Sequence, residues 1–78
     1  MTAAKLGDYL REARGKMSKR EAARRAGISE TRWRHVEAGT QRVAGEDIPI
    51  TVRPDNVAAA ARAVGADVAT ALDLAGYD

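Results

Sequence analysis

The side chains able to do chemistry in this sequence are concentrated before residue 46. Residues 1–45 carry eleven Lys and Arg against five Asp and Glu, whereas residues 46–78 carry two against six. A basic part joined to an acidic one points to a polyanion as partner of the first, with an unevenly decorated, solvated surface as the alternative that charge alone leaves open. Catalysis finds little to work with. The chain has no cysteine, which removes thiol nucleophiles, disulfides and thiolate-ligated metals. His35 is the single histidine and has no Cys, His or carboxylate at ligand spacing. Ser18 and Ser29 stand where helix caps are expected, no glycine-rich phosphate loop is present, and 78 residues bury too small a core to enclose a substrate cleft. The expectation is a single domain over 1–78 that binds rather than catalyses, with no cofactor, metal or small-molecule ligand.

These residues need helices to position them. Leu6, Tyr9, Leu10 and Ala13 recur at i, i+3, i+4 and i+7, the apolar stripe of a first helix. Ser18-Lys-Arg-Glu21 has the spacing of a capping box, in which the Ser18 hydroxyl accepts from the Glu21 N–H and the Glu21 carboxylate reaches back to that of Ser18. A short second helix then carries Ala22, Ala23 and Ala26 inward until Gly27 supplies the left-handed turn that ends it. Ile28 plugs the corner and Ser29 caps a third helix from about Glu30 to Ala38, closed by Gly39. On that helix Trp33, Val36 and Glu37 share one face, Trp33 as a core residue. Thr31, Arg34 and His35 point the opposite way, with Arg32 at the edge.

Residues 40–53 read as an ordered loop or a short β-hairpin. Val43, Ile48, Ile50 and Val52 favour strands, Ala44 to Asp47 makes a turn, and Pro49 confines any strand to an edge. Pro54 then opens a fourth helix with Val57, Ala60, Ala61 and Val64 inward, closed by Gly65. Asp67 caps a fifth with Val68, Ala71, Leu72 and Ala75 on one side, and Leu74 falls off its stripe as an exposed residue in want of a partner. The longest apolar run, Val57 to Ala61, is far too short to cross a bilayer, and the first residues lack a signal-peptide core, so a soluble, cytoplasmic protein is expected.

Two short helices joined at Gly27 and packed through alanines form a helix-turn-helix, with Ala23 small where the next helix crosses it. Such an arrangement lets the outer face of the second helix enter a major groove. At this point the segment 19–39 resembles the Cro- and XRE-type helix-turn-helix of phage repressors and bacterial transcriptional regulators. The shared pattern is Ala23, Gly27 four residues on, apolar Trp33 six beyond that, and the closing Glu37-x-Gly39. The resemblance extends over all five helices and implies an all-α, compact, lambda-repressor-like DNA-binding domain. Two features depart from the family: the first connection is one residue longer than usual, and 40–53 is well longer than the usual link.

Carried over position by position, the resemblance implies that Glu30, Thr31 and His35 face base edges, with Ser29 at the helix start. It implies that Lys19 and Arg42 meet phosphates and that Arg11 pairs internally with Glu37. The local chemistry adds Arg34 to the base contacts and Arg20 and Arg32 to the backbone contacts, since cations around a reading face supply affinity. A carboxylate near phosphates is costly unless it accepts from the N4 amine of cytosine, which marks Glu30 as a specificity residue.

The expected function is sequence-specific binding of a double-stranded operator, most simply as a repressor. One small module buries only about 600–1,000 Å² on DNA, so tight binding calls for two copies on a palindrome. Their pairing surface is expected in the acidic half, at Leu74 and Tyr77 or along Ile48–Val52. An alternative from another class is an antitoxin or adaptor whose acidic half binds a protein and for which DNA is secondary. A third reading makes the chain the DNA-binding portion of a longer regulator.

Overall fold

The computed structural model describes residues 3–77. In chain order they form α1 (Ala3–Arg14), α2 (Lys19–Ala26), α3 (Glu30–Ala38), β1 (Thr40–Val43), β2 (Glu46–Pro49), α4 (Pro54–Ala63) and α5 (Val68–Leu74). This is the expected all-α arrangement of five helices, and the open reading of 40–53 resolves to a hairpin. α1 packs on α3 and α5, α2 on α3 and α4, and α4 on α5. The core draws on every helix: Leu6, Leu10, Ala22, Ala23, Trp33, Val36, Val57, Ala60, Ala61 and Ala71 are all buried, joined by Val52 and Val64. Burying a side chain the size of Leu6, Leu10, Val36 or Val57 stabilises by roughly 1.5–3 kcal/mol, so these residues anchor the helices that carry the outer face of α3.

The helix ends follow their caps. Ser18 Oγ accepts from Glu21 N at 3.0 Å, Ser29 Oγ from Arg32 N at 3.0 Å, and Asp67 Oδ2 from Thr70 N at 2.9 Å. Thr70, through its hydroxyl and its backbone N–H, holds the Asp67 carboxyl below the ordinary carboxylate range. Gly27, at φ 75°, turns the chain while Ile28 N donates to Ala23 O at 3.0 Å, closing α2 as a Schellman motif closes a helix.

One half of the expected capping box does not form. The Glu21 carboxylate is taken by Arg24 and Arg25 on the same helix, with Arg24 Nε at 3.0 Å and Arg25 Nε at 2.7 Å. Charge-assisted bonds to two guanidinia outcompete one neutral N–H. Arg24 first and Arg25 second pull the Glu21 carboxyl down to about 2.

Two other expectations about packing are corrected. Ala13 is exposed, and the last inward place on α1 goes to Arg14, about 40° round from Leu10 in the direction that leads from Leu6 to Leu10. Leu74 is half-buried rather than exposed, and it packs against the core as Tyr77 does, whose hydroxyl donates to Val52 O at 2.7 Å. The α5 end thereby latches the segment that leads into α4.

The hairpin is antiparallel, with Thr40 opposite Pro49, Gln41 opposite Ile48, Arg42 opposite Asp47 and Val43 opposite Glu46. Its turn is two residues, Ala44-Gly45, tighter than the Ala44-to-Asp47 turn expected. Every residue from Gln41 to Pro49 is exposed. Aliphatic burial falls on Val52 and, in part, Ile50, while Val43 and Ile48 remain 48% and 39% exposed and share one face of the ribbon. Ala44 and Gly45 adopt φ 51° and 82°, the primed turn that matches strand twist but suits alanine poorly. Ala44→Asn, which makes the favoured Asn-Gly pair, is expected to raise stability by about 0.5–1 kcal/mol. A thermal melt reads the gain, and a fall in Tm would show that the turn is not of this kind.

Candidate nucleic-acid interface

The placement of α3 is set by a buried polar network on its inner side. Glu37 is 6% exposed. Arg14 Nε donates to its Oε2 at 2.6 Å and Arg14 Nη2 to its Oε1 at 3.2 Å, while Arg14 Nη1 holds Met17 O at 2.6 Å. The indole N–H of fully buried Trp33 donates to the same carboxylate. The Glu37 carboxylate therefore ties α3 to α1 through Arg14, and Arg14 in turn holds the α1–α2 connection. The pairing expected of Arg11 with Glu37 is incorrect: Arg11 lies about 100° round α1 from Leu10 and pairs with Asp8 in solvent. Arg14, in line with Leu6 and Leu10, takes its place.

α1 and α3 approach closely at Gly7, where a Cβ would lie 1.8 Å from the backbone O of Glu37. No side chain fits there. Gly7 escaped the sequence reading, although a glycine inside a periodic helical stretch is a signal of close backbone approach.

With this inner face fixed, the outer face of α3 presents its polar residues. Ser29, Thr31, Arg32 and Arg34 are exposed, and Glu30 and His35 are half-buried. Thr31, Arg34 and His35 fall within about 100° of one another around the axis, away from Trp33. All six residues expected on or at the start of α3 are thus brought together on one short element. Ser29 already uses its oxygen as the cap. Glu30 is paired with Arg34 one turn on, so the carboxylate expected to read a base alone is shared with a guanidinium.

The remaining cations divide into free and occupied. Lys19 and Arg20 are exposed in the first turn of α2. Among the described residues, Lys19, Arg20 and Arg32 pair with no carboxylate. Arg42 stands apart on β1, its guanidinium 3.5 Å from Asp47 Oδ1 and 3.4 Å from Gly45 O. A phosphate would have to compete with that carboxylate.

Beside α3 lies a cleft of about 200 Å³, lined by Ile28, Arg32, Val36, Ile50, Thr51, Val52, Arg53 and Asn56. Half of its lining is aliphatic, from Ile28, Val36, Ile50 and Val52, and its cations are Arg32 and Arg53, the latter 3.5 Å from Asp55 Oδ1. Arg53 was absent from the expected contacts because it sits in the acidic part of the sequence. Its place immediately before Pro54, which makes it the N-cap of α4, was the available signal. Among the described residues, no group of three or more His, Cys, Asp or Glu could hold a metal ion, and no helix is long and apolar enough to cross a membrane.

Comparison with known proteins agrees with this geometry. Two crystal structures of the clp gene regulator ClgR from Corynebacterium glutamicum are similar, each at 26% identity and a TM-score of 0.67 over 97% of this chain. The match takes in 90% of the ClgR chain in one structure and 73% in the other. No curated protein sequence matches. The profile of the helix-turn-helix domain matches residues 5–74, from within α1 to the end of α5. The chain belongs to the helix-turn-helix domain family, in keeping with the Cro/XRE-type pattern of its segment 19–39.

Proposed function

We propose that this protein binds double-stranded DNA sequence-specifically by laying the outer face of α3 in the major groove, and that it acts in the cytoplasm as a transcriptional repressor. The observation that carries the proposal is the row Thr31, Arg34 and His35, exposed or half-exposed on a helix whose opposite face is locked by Trp33 and Glu37. A rigid helix with a free polar face, about 10–12 Å across, matches a groove that admits one helix. Ser29, Glu30, Thr31, Arg34 and His35 meet base edges, and Lys19, Arg20, Arg32 and Arg42 meet the backbone, with Arg53 as an added backbone contact across the cleft. The likeness to a gene regulator supports the regulatory role. A small bound domain represses by occupying its site.

Two copies on a palindrome supply the affinity that one module lacks, with half-sites about one helical turn apart. With Leu74 and Tyr77 half-buried against the core, Val43 and Ile48 on the hairpin are, among the described residues, the exposed large aliphatics best placed to meet a second copy.

Selecting sites from a random duplex pool, then measuring affinity by fluorescence anisotropy across a salt series, tests the proposal. The wild type is expected to prefer one sequence over the pool. Lys19→Ala, Arg20→Ala and Arg32→Ala should each weaken all duplexes about equally and reduce the salt slope by about one. Thr31→Ala and His35→Ala should relax base preference instead. Weak, sequence-blind binding by the wild type would overturn the proposal and favour an antitoxin or adaptor that engages a protein through its acidic part.

A further inference from the structure

Glu30 and Arg34 stand one turn apart on the outer side of α3, guanidinium against carboxylate, with side chains 37% and 58% exposed. We propose that this ion pair acts as a unit that reads a single G·C base pair in the major groove. The inference rests on the reading of α3 as the recognition helix, and it names the base pair that part of the face selects.

The argument is one of matching patterns. Across the major-groove edge of a G·C pair lie two acceptors, guanine N7 and O6, followed by one donor, the N4 amine of cytosine. The Glu30–Arg34 pair presents the complement, guanidinium donors followed by carboxylate oxygens. Its internal contact is a single one, Arg34 Nη2 to Glu30 Oε2. Five N–H donors and four carboxylate lone-pair sites are available to such a pair, so most remain for the bases. The guanidinium can fork onto N7 and O6 while the carboxylate accepts from N4.

An A·T pair shows acceptor, donor, acceptor along the same edge. There the central N6 amine would face the guanidinium and thymine O4 would face the carboxylate, two like-against-like oppositions. A C·G pair shows the G·C pattern reversed. Because α3 runs in one direction, Glu30 and Arg34 cannot exchange places, and the pair distinguishes the two orientations.

The pairing also removes the electrostatic objection to a carboxylate on this face. Glu30 approaches the phosphates with its charge balanced by Arg34, and Arg34 loses less side-chain freedom on binding because the carboxylate already orients it. An ordinary helix-stabilising i, i+4 pair would need none of this complementarity, and a phosphate-binding Arg34 would carry no base information.

The full chain is tested on its selected site, with all four base pairs placed in turn at every position, for wild type, Glu30→Gln, Arg34→Ala and the double variant. Thermal melts of each confirm folding, which half-buried Glu30 and exposed Arg34, both outside the core, should leave intact. Wild type should prefer G·C over A·T at one position of each half-site by roughly 5- to 150-fold. Both single variants should lose that preference at the same position and nowhere else, and the double variant should lose no more than Arg34→Ala alone. Uniform weakening by Arg34→Ala with a flatter salt slope overturns the proposal, as does loss of preference at two different positions. Either result leaves α3 as the recognition helix. No sequence preference in the wild type would instead sink that underlying reading.

Discussion

Replacing Glu37 by alanine is expected to cost about 3–5 kcal/mol, the range found when one partner of a buried ion pair is removed. Arg14 would be left with its side chain only 13% exposed and without its counter-charge, and the Trp33 indole N–H would be buried with no acceptor. Small domains are stable by only about 5–15 kcal/mol, so much of the margin goes. At roughly 4–8 °C per kcal/mol, Tm should fall by more than about 12 °C. Glu37→Gln keeps an oxygen for Trp33 and should lose less. The paired change Arg14→Met with Glu37→Leu should be milder than Glu37→Ala, because no charge remains buried. Urea melts of the three variants rank them, and a loss below about 1 kcal/mol for Glu37→Ala would show that the network is hydrated rather than buried.

Gly7→Ala should also destabilise, against the usual sign. Inside a helix, alanine is better than glycine by about 1 kcal/mol, so propensity alone forecasts a gain. The new methyl, however, would meet the Glu37 backbone O at 1.8 Å, and no rotamer can move it. α1 and α3 must separate, at a net cost of about 1–3 kcal/mol. Because α3 shifts with respect to α2, DNA affinity should fall further than unfolding alone explains when measured well below Tm. A rise in Tm for Gly7→Ala would contradict the close crossing.

How much of this was legible in the sequence depended on whether the cause was local. The caps at Ser18, Ser29 and Asp67 and the stop at Gly27 were readable because a side-chain oxygen and a left-handed glycine act within four residues. The buried set Leu6, Leu10, Trp33 and Val36 followed from helical periodicity. What periodicity could not supply was competition. Glu21 could reach back to its cap or forward to Arg24 and Arg25, and only the strength of two charged donors decides. Arg14 rather than Arg11 meets Glu37 because resemblance carried the residue type but misjudged the face by three residues, about 60° round the helix. Gly7 gained its meaning only from a carbonyl thirty residues away.

The candidate site divided in the same way. Thr31, Arg34 and His35 were placed by the 3.6-residue period. The partnership of Glu30 with Arg34 required knowing which neighbour the carboxylate chooses. Arg53 was hidden because its approach to Arg32 depends on how the long 40–53 connection returns the chain to α4. The exposed face holding Val43 and Ile48 likewise followed from hairpin register, which shifts with the length of the turn.

The central claim is that the outer face of α3 lies against base pairs. Titrating uniformly ¹⁵N-labelled protein with its selected duplex and following backbone amide shifts tests this directly. The largest changes should map to residues 29–35 and to Lys19 and Arg20, with α5 nearly unaffected. Changes confined to α4, α5 or the hairpin, with α3 silent at moderate ionic strength, would contradict it.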